Sequence, residues 1–298
     1  MTDVKFECFV GIDWSGSKGR YHKSIQIAEY CWGDIRPKVL RPKDGNYWSR
    51  SAVVEYIESL RTRPTTLVGI DFAFSIPTPY PNPDLSDVRE LWSLVDDICV
   101  AMLDDDVREY YAGPVWSSEA SPFRPYFRYP GHRGDLFDGK RLRRTEKATT
   151  PRATSVYKLM YSQVGRGSFA GMRVLKSLSP SADCGIAVWP FDKIDRSKIV
   201  IVEIYPSAFY PMVQCRRPNP EKQTREAVEE VIARVVQHFG VGRPEPELST
   251  QDEIDAYVTA AALSHFSKDA SNFSVPRHLQ AAASQEGWIF GITGGERP

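Results

Sequence analysis

Three apolar segments of this sequence carry an acid: VGID closes on Asp13, LVGID on Asp71, and IVIVEIY contains Glu203. Acids are depleted from strands and seldom fully buried without a partner. A fourth acid, Asp255, lies in DEIDAYVTAAALS, three residues after Asp252 and on the same helix face. Gathered together, such carboxylates repel: two like charges about 5 Å apart cost roughly 3 kcal/mol at an effective dielectric of about 20. The sequence signals no pair of buried arginines near them, so the economical counter-charge is a hard divalent cation, Mg²⁺ or Mn²⁺. Two such ions held by Asp13, Asp71, Glu203 and Asp255, with Asp252 as a further ligand or a cap, would activate water and stabilise the leaving oxygen of a phosphodiester. This reading requires Asp13, Asp71 and Glu203 to share one face within about 10 Å, the reach of a shared ion pair. Each acid alone has a plainer role. The aspartates suit turns or helix caps, and Glu203 suits a bond to backbone or a pairing with Arg152 or Lys158.

To bring these acids together the chain needs a sheet. Residues 6–13, 66–71 and 199–205 read as buried strands, 21–32 as a second strand and 38–41 as a short third. Asp13 and Asp71 then stand at C-terminal strand ends, where an α/β sheet places its ligands. Helical spacing covers 49–60, 85–109, 155–163, 169–178, 221–239 and 250–266. In the last of these, Thr250 and Glu253 form a capping box, and Ala256, Ala260, Ala261 and Ala262 predict tight packing on the sheet. Pro77, Pro79, Pro81 and Pro83 fix an irregular loop. Strands followed by helices interleaved with further strands predict one α/β domain over residues 1–298, with 113–180 as a lid-like insertion too short for a core of its own.

Taken in order, GIDWSG, GIDFAFSIP, VWPF, VEIYPSAFYP, DEIDAYVTAAALS and QEGWIFGI span residues 10–292. They resemble an uncharacterised family of predicted nucleases with an RNase H-like fold. The resemblance implies a central five-stranded mixed sheet flanked by helices, with metal-binding acids at its centre. It places Asp13 on the first strand, Asp71 on the fourth, Glu203 on a later strand and Asp255 on the closing helix. The chain departs from a compact version by the long basic, proline-rich stretch after Pro114.

Charge is balanced overall, 38 Lys+Arg against 38 Asp+Glu, which argues against a nucleic-acid coat protein. Its distribution is uneven. Residues 84–109 carry nine acids against Arg89 and Arg108, whereas 121–176 carry thirteen Lys/Arg against Asp135, Asp138 and Glu146. Interleaved with Phe123, Tyr126, Phe127, Tyr129, Phe137, Tyr157 and Tyr161, this surplus suits a nucleic-acid partner, with cations on phosphate and rings on unpaired bases. A solvated loop paired with the acidic helix is the plain alternative. Lys140, Arg141, Arg143 and Arg144 of KRLRR, with Lys158, are the predicted phosphate-binding residues. The segment DWSGSKG after the first strand offers backbone N–H groups, Ser15 and Lys18 as a phosphate cradle, or else forms a plain hairpin turn. It is similar to the first phosphate hairpin of actin-like and sugar-kinase ATPases. The second glycine-rich loop of such enzymes is missing near Asp71, and Gly294–Gly295 lie at the chain end.

The remaining features are bland. Cys8, Cys31, Cys99, Cys184 and Cys215 form no CxxC and predict neither a zinc ribbon nor a disulfide framework. The five histidines show no HExxH or HxH spacing, and no serine sits in GxSxG. Glu286 and Trp288 are expected to anchor the C-terminal segment by packing, with Glu286 at the border of the site as the alternative. The 42% hydrophobic and 12% aromatic content excludes disorder. No run of about 18 apolar residues offers a membrane span. The first residues lead straight into a strand without a signal peptide, so the expected location is cytoplasmic. The leading expectation is metal-dependent hydrolysis of nucleic acid. An ATP-dependent phosphotransferase on the same sheet and a non-catalytic nucleic-acid-binding protein are the alternatives.

Overall fold

The computed structural model describes residues 4–43, 45, 47–103, 109–149, 153–159, 164–179, 185–219 and 224–292. Arg152, Tyr161, Cys184, Gly294, Gly295, residues 104–108 of the acidic segment and 160–163 and 221–223 of two expected helices lie outside them.

In chain order the elements are β1 (Cys8–Asp13), β2 (Gln26–Cys31), β3 (Lys38–Leu40), α1 (Arg50–Ser59), β4 (Thr66–Ile70), α2 (Val88–Val100) and α3 (Gly113–Ser117). There follow β5 (Arg128–Tyr129), β6 (His132–Arg133), α4 (Arg144–Ala148), α5 (Val164–Leu178), β7 (Ile186–Trp189), β8 (Ile199–Glu203), α6 (Arg225–Phe239), α7 (Gln251–Phe266) and α8 (Gln280–Glu286). The architecture is α/β: a mixed sheet in the order β3-β2-β1-β4-β8-β7, flanked by helices. β1, β4, β8 and β7 run parallel, while β2 and β3 complete an antiparallel meander from β1.

The sheet has six strands where five were expected. The extra edge strand, β7, is the four-residue run IAVW, and periodicity cannot separate so short an apolar run from a buried helical segment. Other boundaries moved as well. β2 occupies only the second half of 21–32, α2 stops at Val100, and α5 starts at Val164, before the expected 169. Residues 155–159 are not helical; Lys158 instead bridges to Arg128.

Both sheet faces are covered, which is why β1, β4 and β8 read as unbroken apolar runs. Side-chain alternation sorts each strand between two cores. Val10, Ile12, Val68, Ile70, Ile199 and Ile201 join α1, α2 and α5 on one face. Phe9, Leu67, Val200 and Val202 join α6 and α7 on the other. The stretch 113–180 is stitched into the first of these cores. Phe123, Phe127 and Tyr157, expected to offer rings to bases, are buried there. Its α5 residues Arg173 and Lys176 pair with Asp96 of α2, so the alternative of pairing with the acidic helix holds for this part.

Register also joins Cys8 and Cys31, which face each other on β1 and β2 with Cα atoms 4.0 Å apart and form a disulfide. Cysteine spacing carried no sign of it, because a hairpin of this length is closed by strand register alone. Among the described residues, no helix is long and apolar enough to cross a membrane.

The repeated VGID has a packing explanation. Gly11 and Gly69 are register partners on adjacent strands, and α7 crosses directly over them. A Cβ at Gly11 would lie 2.3 Å from the Ala256 carbonyl oxygen and 2.7 Å from the Ala260 nitrogen. At Gly69 it would lie 2.8 Å from Ile204 Cγ2. The small residues of α7 thus meet strands that have no side chain. Gly11→Ala is therefore expected to destabilise the fold by about 1–3 kcal/mol through overpacking against helix backbone, read as a fall in thermal midpoint, whereas Ala→Ser at exposed Ala281 leaves the midpoint unchanged.

Candidate functional site: a carboxylate cluster at the strand ends

β1, β4 and β8 end level: Ile12 lies opposite Ile70, and Ile70 opposite Glu203. Alternation then decides which way each acid points. Asp13 follows Gly11 by two residues and Asp71 follows Gly69 by two, so both turn toward α7. Glu203 follows Ile201 by two and turns toward the opposite core. The three acids nevertheless line one cavity of about 440 Å³ at the strand ends, together with Asp252, Arg143 and Arg217.

On the α7 side the aspartates crowd one another. Asp255, fully buried, accepts hydrogen bonds from the Tyr210 hydroxyl, from Gln251 Nε2 at 3.0 Å and from Arg217 Nε at 3.0 Å, with Arg217 Nη2 completing a forked ion pair. Burial, followed by the charges of Asp255, Asp71 and Asp252, pushes the Asp13 carboxyl well above its ordinary range. Burial also pushes Asp71 up to about 8, with Asp255 and Glu203 adding to the shift and Arg217 opposing it. Asp252 is raised by burial and by Asp255.

Glu203 has a different environment. Arg143 Nη1 donates to its Oε2 at 2.8 Å, Arg143 Nη2 reaches Oε1, and the Phe74 N–H donates to Oε2 at 3.0 Å. The same guanidinium binds Glu146 Oε1 at 2.9 Å and the Glu286 carbonyl at 2.9 Å. Glu286 in turn accepts from the Thr78 and Arg144 backbone N–H groups, which makes it an anchor of the C-terminal segment. Burial raises the Glu203 carboxyl and Arg143 pulls it back down.

Two corrections follow. Glu203 does not share the face of Asp13 and Asp71, and both its oxygens are occupied, so it leaves the expected ligand set. Arg143, expected to bind phosphate, is 1% exposed and serves as the structural counter-ion of Glu203 and Glu146. The sequence signalled no pair of buried arginines near the acids; Arg143 and Arg217 reach them from positions 60 and 38 residues away from their partners.

Asp13, Asp71 and Asp252 form an all-carboxylate donor set, the chemistry a hard divalent cation requires. Among the described residues, no three His, Cys, Asp or Glu side chains are already arranged to hold a metal ion. Asp255 is committed to Arg217.

The wall after β1 is fixed from within. Arg50, fully buried on α1, donates to the Ser15 carbonyl at 3.0 Å and to the Ser17 carbonyl at 2.7 Å. Ser15 lines the cavity and contacts Ser17 Oγ at 3.0 Å, which in turn meets His22 Nδ1 at 2.8 Å. Lys18 does not line the cavity; its ammonium lies 5.9 Å from the Tyr111 ring centroid. Arg141 stacks over Tyr126 and Tyr157 and donates to the Pro79 carbonyl. Lys140, Arg144 and Lys158 are exposed. Sequence reasoning missed Arg50, Tyr210 and Arg217. Arg217 sits in the irregular segment CRRPNP, where no spacing rule marks it.

Compared with protein-family models, with curated proteins and with solved structures, the chain finds no match.

Asp71 titrates near 3.8 when unfolded and near 8 in the fold. Between these values the folded state holds a proton that the unfolded chain has released, so stability falls as pH rises through this window and levels off above it. Asp13 acts in the same direction. In chelator, the thermal midpoint is expected to decline from pH 5 to pH 8. Asp71→Asn should flatten that decline and raise the midpoint at pH 8 by at least about 2–4 °C, the equivalent of about 1 kcal/mol. A midpoint that rises over this range in the unaltered protein would contradict the cluster's electrostatics.

Proposed function

We propose that this protein is a Mg²⁺- or Mn²⁺-dependent nuclease on an RNase H-like fold, hydrolysing phosphodiester bonds of nucleic acid. The observation that carries the reading is the convergence of Asp13 and Asp71, at adjacent parallel strand ends, with Asp252 and Asp255 of the helix docked above them. The family resemblance implies Asp13 on the first strand, Asp71 on the fourth, Glu203 on a later strand and Asp255 on the closing helix; here Asp71 directly follows the fourth strand, and Glu203 ends β8 but turns to the other face. β7 is then an addition at the sheet edge.

Because Glu203 turns to the other face, the expected four-acid, two-ion site is not kept; in this narrower reading Asp13, Asp71 and Asp252, which line the same cavity, would hold one cation. The cation, when bound, supplies an activated water and neutralises charge on the leaving oxygen. Arg217 keeps Asp255 in place and presents the remainder of its guanidinium to the cavity, where a phosphate would sit. Glu203, locked to Arg143, braces the opposite wall, and Ser15 on its Arg50-held loop lines the entry.

The test is a panel of labelled DNA and RNA substrates with Mn²⁺. Asp13→Asn and Asp71→Asn should each abolish cleavage while leaving the thermal midpoint unchanged or higher. Retained cleavage in both variants excludes the mechanism. Glu203→Gln should instead lower stability by about 3 kcal/mol, because it removes one of the two buried carboxylates paired with Arg143 and leaves only Glu146. Stabilisation by ATP without any cleavage would favour the phosphotransferase alternative. Salt-sensitive binding without cleavage would favour the non-catalytic one.

A further inference from the structure

We infer that Arg128, Arg133 and Lys158 form a phosphate-binding row that carries the backbone of a nucleic-acid strand toward the cavity. The inference rests on the nuclease reading only for the identity of the polyanion; the row itself follows from register. β5 and β6 pair Arg128 directly with Arg133, and a parallel bridge pairs Arg128 with Lys158 on its other side. Backbone hydrogen bonds fix that bridge: the Arg128 N–H donates to the Tyr157 carbonyl at 3.1 Å and the Leu159 N–H to the Arg128 carbonyl at 2.9 Å. Residues opposite one another on neighbouring strands project to the same face about 5 Å apart. Three cations therefore stand abreast across about 10 Å.

Like charges directly opposite are destabilising. All three side chains are exposed. Among the described residues none of them forms an ion pair. Asp138, the acid nearest in sequence to the β6 end apart from Asp135, instead accepts a hydrogen bond from the Lys140 N–H. Other cations of the same basic stretch do find acids: Arg173 and Lys176 take Asp96, and Arg143 takes Glu146 and Glu203. Part of the local surplus is thus paired and holds the fold together, whereas this row forms no ion pair among the described residues.

The row is also shaped. The Arg133 guanidinium lies 5.6 Å from the Phe137 ring centroid. The Lys158 stem passes so close to Gly139 that a Cβ there would meet its Cε at 2.9 Å. Thr154 lines the cavity, and Lys158 follows four residues later, at most about 14 Å along an extended chain. The row therefore stands within about 14 Å of a residue of the cavity wall. Of the six basic residues marked in the sequence as phosphate binders (Lys18, Lys140, Arg141, Arg143, Arg144 and Lys158), Lys158 is the one placed in this row. Arg128 and Arg133 join it through pairing that sequence spacing does not show.

The experiment measures binding of a fluorescein-labelled oligothymidylate of about 20 nucleotides, in EDTA so that cleavage plays no part, as a function of salt. The comparison is between the unaltered protein and the triple variant Arg128→Ala, Arg133→Ala, Lys158→Ala. The variant should bind about tenfold or more weakly, and its log–log salt slope should be shallower by about 2, given about 0.7 per phosphate contact on a single strand. Its thermal midpoint should be unchanged or higher, since like-charge repulsion is removed. Equal affinity and slope in the variant, or no binding by the unaltered protein, overturns the row. Competition by polyglutamate equal, charge for charge, to that by unlabelled oligonucleotide overturns the nucleic-acid assignment. Binding lost in the variant while the unaltered protein fails to cleave with Mn²⁺ leaves the row standing and removes the nuclease reading alone.

Discussion

The contact between α7 and the bare backbone of β1 and β4 is the constraint on which the site depends. An ordinary side chain at Gly11 would collide with the Ala256 carbonyl, and the helix would ride higher over the sheet. The height of the helix sets how far Asp252 and Asp255 stand from Asp13 and Asp71. Close packing and acid convergence are therefore one structural fact: glycine two residues before each aspartate, and small residues along the facing helix, give the cluster its dimensions.

That compression carries an electrostatic cost which the molecule meets in two ways. On the far side of the sheet Arg143 neutralises Glu203 and Glu146 almost completely out of solvent. On the near side Arg217, whose side chain is 42% exposed, pairs with Asp255, while burial and mutual repulsion push Asp13, Asp71 and Asp252 above the ordinary carboxylate range. The first arrangement resembles a closed structural ion pair, where breaking either member is costly. The second leaves charge that is uncompensated and adjacent to open space, as a binding site requires.

Much of this geometry was legible in the sequence. Asp13, Asp71, Asp252 and Asp255 were identifiable because strand ends and helix periodicity are local properties, and the alanine face of α7 announced its own close packing. The side of the sheet taken by Glu203 was not legible, because it depends on the register of β8 against β4, and a one-residue shift would reverse it. The partners Arg143 and Arg217 come from irregular segments whose position is set by tertiary contacts alone. β7 was too short to declare itself. The aromatics between 113 and 180 misled for a related reason: a ring beside an arginine looks the same in sequence whether it faces a base or a core.

Arg50 gives the cavity an asymmetric stiffness. A guanidinium sealed inside the protein and bonded to the Ser15 and Ser17 carbonyls acts as an internal bolt, since releasing the turn would leave this buried cation three hydrogen bonds poorer, with the Glu109 carbonyl still bonded. That rim cannot yield to accommodate a guest. Adaptation to ligands of different size falls instead to the opposite margin, where Arg217 is tethered by its tip and bathed along its length.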